Sequence, residues 1–292
     1  MKKILLFGCH GQVGSALVPL LEGDCELIPL DIDQLDLTRV EQIQQAIDRH
    51  APDLIINAAA YTAVDKAESD SDICYAVNAR APEVMARQAA VSGAAIIHYS
   101  TDYVFDGSRD TPYSETDVPN PLGVYGSSKL QGDRAVLDSG AAALVFRTSW
   151  VYGATGKNFY LTMRKLLQER GELNVVDDQF GSPTLASAIA TATVDIIQQA
   201  GEDLVGYIKK HTGLYNMTCG GESSWYGFTK AIASGLADSP ASLARVNPVP
   251  TSAYPTPAKR PAYTVLDNSK LYDAFLVKLP PWQQALQETM KN

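Results

Sequence analysis

Short apolar runs alternate with longer amphipathic stretches through the first half of the chain. The first run, Lys2 to Phe7, stops at Gly8 and leads through a glycine turn into a helical pattern over Ser15–Glu22, which Pro19 is expected to kink or shorten. Cys25–Leu30 reads as a second strand. Leu37–His50 then has helical periodicity, with Val40, Ile43, Ala46 and Ile47 on one face. Asp53–Ala59, Ala94–Ser100 and Ala142–Arg147 read as buried strands, and Asp72–Ser92 and Ser127–Asp138 as the helices between them. Strands and helices alternating at this pitch predict right-handed βαβ crossovers and a doubly wound parallel sheet. Leu173–Val176 and the helix Leu185–Gln199 are read as an extension of that sheet.

Beyond about residue 206 the pattern changes. Segments shorten, and prolines gather at Pro248, Pro250, Pro255, Pro257, Pro261, Pro280 and Pro281. A helix is predicted near Trp225, capped by Ser223 or Ser224. Val249–Tyr263 is predicted to be largely extended, because each proline restricts the residue before it. The organisation expected is a dinucleotide-binding unit over 1–149, completed by about 172–200, and a smaller unit built from 150–171 and 206–292.

Composition narrows the function. The 292 residues are 46% hydrophobic and 20% charged, which is globular. A net charge of -9 repels phosphate backbones, so nucleic acid is not an expected partner. Neither a polybasic run nor a long apolar window points to a membrane, and the N-terminal apolar run is too short for a signal-peptide core. Four well-separated cysteines read as reduced thiols of a cytoplasmic protein, and the four histidines show no paired spacing for a metal.

Two constellations carry chemistry. Gly8, Gly11 and Gly14 follow the first strand directly. A tight turn, close backbone approach to a pyrophosphate and close helix packing all demand glycine there. The helix N-terminus then offers free N–H groups to the phosphates. Asp31, at the end of the second strand, is placed to accept hydrogen bonds from an adenosine ribose and to repel a 2′-phosphate, so NADH is favoured over NADPH. The second constellation is Thr101, at the C-terminal end of a strand, with Tyr125 and Lys129 four residues apart on one helix face. A lysine ammonium beside a tyrosine favours the phenolate and brings its titration toward neutral pH. Tyr226 and Lys230 repeat the spacing without a preceding sheet strand and read as a surface pair.

With these pieces in place the chain resembles the extended short-chain dehydrogenase/reductase family. The segments LLFGCHGQVGSAL, DLIINAAAYTAVDKAE, HYSTDYVFDG, YGSSKLQGD, FRTSWVYG, NFYLTM, DDQFGSPT and YPTPAKRPAY span nearly the whole chain and match the branch that reduces dTDP-4-keto sugars. The resemblance implies a Rossmann sheet with a smaller C-terminal α/β substrate-binding domain. It implies reduction of the C4 keto group of dTDP-4-dehydro-L-rhamnose to dTDP-L-rhamnose by NADH or NADPH, with no metal needed for hydride transfer. Tyr125 is then the proton donor, Thr101 hydrogen-bonds the same oxygen, and Lys129 holds the nicotinamide ribose. Gly11, Gln12 and Val13 meet the pyrophosphate, Asp36 and Leu37 lie beside the adenine, and Ala60, Tyr61, Thr62 and Tyr99 line the cofactor groove. Asp102, Tyr103 and Trp150 are substrate-side candidates, and Arg260 is a candidate for the diphosphate. Bland readings stay open for four positions: Trp150 as core, Arg260 as a structural arginine, Asp36 as a helix cap, and Asn78, at a family-like position, as a buried helix amide. Sugar-nucleotide dehydratases carry Asp-Glu after the threonine. Asp102-Tyr103 stands here, which disfavours water elimination but leaves another reductase or epimerase open. A regulatory subunit like the β subunit of methionine adenosyltransferase is the non-enzyme alternative. Some relatives form metal-bridged dimers on surface carboxylates; residue 15 is Ser15, so a monomer or weak homodimer is expected.

Overall fold

The structure, a computed structural model, describes residues 2–236 and 243–291. In chain order the first elements are β1 (Lys3–Phe7), α1 (Gln12–Leu21), β2 (Glu26–Leu30), α2 (Val40–His50), β3 (Leu54–Asn57), α3 (Val64–Ala67), α4 (Ser71–Tyr75), a π-helical turn (Ala76–Arg80) and α5 (Ala81–Ser92). Then come β4 (Ala95–Thr101), α6 (Val124–Leu137), β5 (Ala142–Thr148), β6 (Val151–Tyr152), α7 (Phe159–Glu169), β7 (Glu172–Val176), β8 (Phe180–Gly181), β9 (Thr184–Leu185) and α8 (Ala186–Gln199). The last are α9 (Leu204–Lys210), β10 (Gly213–Asn216), β11 (Ser223–Ser224), α10 (Trp225–Gly235), β12 (Arg245–Val249), α11 (Ser269–Phe275) and α12 (Trp282–Lys291).

The central sheet runs β2-β1-β3-β4-β5-β10, with every pairing parallel. Alternate residues of its strands enter two cores. Ile4, Leu6, Ile56, Ile97 and Phe146 pack with α1 and α8 on one face. Leu5, Phe7, Ile55, Ile96 and Val145 pack with α2 and α5 on the other. Burial on both faces is why these strands are nearly continuous runs of Ile, Leu and Val. The strand order reverses between β1 and β3, which opens a crevice at the carboxyl ends of the strands.

Two expectations need correction. Leu173–Val176 does not extend this sheet; β7 pairs with β12 in a separate two-stranded sheet, Glu172 opposite Arg245. Only Val175 of β7 is buried, whereas an interior strand of a parallel sheet is covered on both faces. The sixth strand is β10, from beyond residue 206, with Gly213 opposite Leu144. Helix α2 starts at Val40 rather than at Leu37, and Asp36 is not its cap. The Asp36 carboxylate instead takes the Thr38 N–H at 2.9 Å and its hydroxyl at 2.7 Å, closing a local turn.

Other features agree in kind with the sequence pattern. Pro19 lies within α1, which ends two residues later at Leu21. The long Ala-rich helix is broken by the π turn because Pro82 has no N–H for the carbonyl of Asn78 and its ring crowds that group. Ser224 caps α10, accepting the Gly227 N–H at 2.9 Å. Among the described residues no helix is long and apolar enough to cross a membrane.

Candidate active site

A cavity of about 840 Å³ lies at the carboxyl edge of the central sheet, over the crevice. Its floor is the glycine turn. Gly8 adopts φ +82°, and a Cβ there would sit 2.5 Å from the Ala59 nitrogen. Gly14 lets α1 lie against the turn, since a Cβ there would come within 2.0 Å of the Gly8 oxygen. Gly11 caps α1 without a side-chain acceptor, so the helix presents its N–H groups to the cavity. Asp31 holds the turn from β2, accepting the His10 N–H at 2.7 Å and the Ile32 N–H at 2.8 Å. The Gln12 side chain reaches away to the loop before α7, donating to the Thr155 carbonyl at 2.9 Å. The Val13 side chain is buried in the core. What these two can offer a ligand is main chain. This donor set, open N–H groups over a backbone that approaches closely, fits a dinucleotide.

Asp36, Leu37, Ala60, Tyr61, Thr62 and Tyr99 all line the same cavity. Asn78 in the π turn holds the Tyr61 backbone at both ends, taking its N–H at 2.8 Å and giving its amide to the carbonyl at 3.0 Å. The Tyr99 hydroxyl is hydrogen-bonded to Thr193 of α8 at 2.7 Å.

Thr101, Tyr125 and Lys129 converge on this cavity. Tyr226 and Lys230 do not line it. Tyr125 stands in the first turn of α6, its ring edge-on to Tyr103 at 5.7 Å between centroids. Burial pushes the Tyr125 phenol well above its ordinary range; the Thr101 hydroxyl opposes this, while Asp102, Tyr103 and Cys74 add to it. This differs from the sequence reading, in which Lys129 brings the phenol down. The Lys129 ammonium is instead turned to the Tyr99 carbonyl at 2.5 Å and to His98 Nε2 at 3.3 Å. Burial brings Lys129 down to about 8, against Asp133 and Cys74. At neutral pH, therefore, the site holds a neutral phenol, which is the form that can give up a proton.

Asp102 is buried and receives hydroxyls from Thr101 at 3.0 Å, Ser149 at 2.8 Å and Thr264 at 2.6 Å. Burial raises its carboxyl to about 6, against those three hydroxyls. Arg260 lines the cavity with two of its N–H groups committed, to the Tyr103 hydroxyl at 2.9 Å and to Asp65 at 2.8 Å. Trp150 has a left-handed backbone, φ +45°, and its ring is stacked on Trp225 at 3.4 Å and 4°. Gly181 makes room for it, because a Cβ there would lie 2.6 Å from the indole. Trp225 and Gly181 were not legible as site residues: Gly181 lies within the quoted segment DDQFGSPT with nothing to mark its role, and Trp225 lies far from every quoted segment. Cys9, His10 and Asp31 also place donor atoms within 4.8 Å of one another, a proximity that sequence spacing does not reveal. Burial, and Asp31 after it, raise the Cys9 thiol, and both Asp31 oxygens already serve the turn.

A family model described as the RmlD substrate binding domain matches residues 1–292. A dTDP-4-dehydrorhamnose reductase of Burkholderia thailandensis is 44% identical, over 97% of this chain and 96% of that one. The chain belongs to the dTDP-4-dehydrorhamnose reductase family. A member from Escherichia coli K12 is 41% identical over 99% of this chain and 97% of its own. The crystal structure of the Bacillus anthracis member, in complex with NADP, superposes with a TM-score of 0.91 at 33% identity, covering 99% of each chain. Membership of this family makes the chain an oxidoreductase of the Rossmann type with a nicotinamide cofactor.

Proposed function

We propose that this protein reduces the C4 keto group of dTDP-4-dehydro-L-rhamnose, giving dTDP-L-rhamnose. The observation that carries the reading is the convergence of Thr101, Tyr125 and Lys129 on the cavity whose floor is the glycine turn. When bound, a reduced nicotinamide supplies the hydride. Tyr125, held neutral by burial, gives its proton to the C4 oxygen as negative charge develops there. Thr101 steadies that oxygen by turning its single hydroxyl proton to it from Asp102, where it rests without substrate. Lys129 holds the nicotinamide ribose and compensates the charge left on Tyr125. Residues 1–149, with α8 against α1 and β10 beside β5, form the cofactor side; residues 150–171 and the chain beyond β10 supply Trp150, Trp225 and Arg260 to the sugar-nucleotide side. Arg260 has N–H donors beyond the two in use for the diphosphate. Asp31 turns the preference toward NADH, since its carboxylate repels a 2′-phosphate.

The deciding assay is reduced-nicotinamide oxidation with dTDP-4-dehydro-L-rhamnose generated in situ, NADH and NADPH run separately. Sugar-dependent oxidation, faster with NADH and yielding dTDP-L-rhamnose, is expected. NADH binding without oxidation would overturn the reading and favour another nucleotide sugar or a regulatory role.

Trp150 provides a second test. Gly181→Ala displaces the indole, and the KM for the sugar nucleotide is expected to rise about ten-fold, equivalent to ~1.4 kcal/mol, with the affinity for NADH unchanged. A KM equal to that of the parent enzyme would remove Trp150 from the substrate contacts.

A further inference from the structure

Beneath the reaction centre lies a buried polar cluster of which the mechanism above uses only Lys129. Lys129 and Arg147 are both almost fully buried, and the carboxylate among them is Asp133, one helical turn beyond Lys129 on α6. Asp133 Oδ2 accepts the Ser100 hydroxyl at 2.8 Å and lies 3.4 Å from Arg147 Nε. Its Oδ1 has no hydrogen-bond partner among the described residues and lies 4.0 Å from His98 Nε2. His98 in turn is 3.3 Å from Lys129 Nζ. Asn57 holds the ring, its side-chain nitrogen 3.0 Å from His98 Nδ1. Burial, and the Lys129 charge after it, keep the imidazole neutral, so it adds no charge to the cluster.

Arg147 touches this carboxylate directly, and Lys129 faces it across His98. Removing a buried ammonium from water is costly unless a countercharge is close. We propose that Asp133 is a positioning residue that acts through its charge, keeping Lys129 protonated for its contact with the cofactor ribose, with Arg147 competing for the same carboxylate. The proposal rests on the reading of Tyr125 and Lys129 given above. The other groups facing Lys129 do not fill this role. The Tyr99 carbonyl and His98 on β4 are uncharged, Tyr125 on its own helix is neutral, and burial raises the Cys74 thiol on α4 and keeps it protonated. Asp102 lies on the Tyr125 side and is satisfied by three hydroxyls, and Glu115 acts on Arg147.

The sign follows from linkage. Lys129 must be charged for turnover, so activity is present below its pKa and lost as pH rises through it, near 8. Asp133→Asn keeps the shape and removes the countercharge, so the high-pH fall in kcat moves down by about one unit. Arg147→Met leaves the carboxylate to Lys129, so the fall moves up. Both variants and the parent enzyme are to be assayed from about pH 6 to pH 9.5, with NADH binding followed by fluorescence over the same range. Opposite shifts, with the KM for the sugar within about two-fold, are the expected result. A parallel loss at every pH, or a limb that stays put in both variants, would overturn the proposal. If Asp133→Asn does not fold, the upward shift in Arg147→Met decides alone. If the parent enzyme binds NADH but does not turn over the keto sugar, the functional reading fails. The opposite shifts are then read from the pH dependence of NADH affinity, and their absence there overturns the proposal as well.

Discussion

Tyr125→Phe is expected to lower kcat by about a hundred-fold or more, while NADH binds within about two-fold of the parent affinity. The substitution removes one oxygen from a half-buried ring packed edge-on against Tyr103, so packing changes little. What disappears is the proton donor nearest the developing alkoxide. Thr101 can hydrogen-bond the alkoxide but cannot replace the donor, because a threonine hydroxyl is a far weaker acid than a phenol. As a proton donor the phenol can limit activity only on the high-pH side, and burial pushes that limit well upward. Stopped-flow oxidation of NADH separates the chemical step from binding. Turnover close to the parent rate would remove Tyr125 from the mechanism.

Gly14→Ala is expected to remove cofactor binding and to destabilise the fold by about 3 kcal/mol. The added Cβ would lie 2.0 Å from the Gly8 oxygen and 2.9 Å from Cys9 Cα, both backbone atoms that no rotamer change can move. Helix α1 would have to withdraw from the turn. That withdrawal breaks the Gly11 N–H to Gly8 carbonyl bond and pulls Leu17 and Leu21 from the core they share with α8. Calorimetry with NADH and a thermal melt check both parts. Parent-like affinity would mean that the turn does not cradle the pyrophosphate.

The glycine turn and the Tyr-Lys pair were legible because each is a local pattern on one element. Gly8, Gly11 and Gly14 sit within a few residues of a strand end, and Tyr125 and Lys129 share a helix face. The same helical spacing carries Asp133, four residues further on, but its meaning depends on Arg147 and His98 arriving from β5 and β4. The orientation of Lys129 was not legible for a related reason. Its partner is a backbone carbonyl, at Tyr99, and carbonyls leave no mark in a sequence. Strand β10 was missed because it is four residues of mixed polarity at the sheet edge, Gly-Leu-Tyr-Asn, without the two-sided apolar run of its neighbours. The left-handed Trp150 was equally invisible, since what sustains it comes from elsewhere in the chain: stacking with Trp225, the space at Gly181 and the Thr184 N–H on its carbonyl.

The late arrival of β10 shapes how the chain must be made. During synthesis β1 to β5 can pair as they emerge, yet the outer side of β5 stays open until Gly213–Asn216 has left the ribosome. Throughout that interval a buried-type strand, Ala-Ala-Leu-Val-Phe-Arg-Thr, presents unpaired N–H and carbonyl groups along one side. Such an edge pairs readily with another nascent chain. A stop codon or proteolytic cut anywhere between β5 and β10 would therefore leave an adhesive fragment rather than a small working cofactor module.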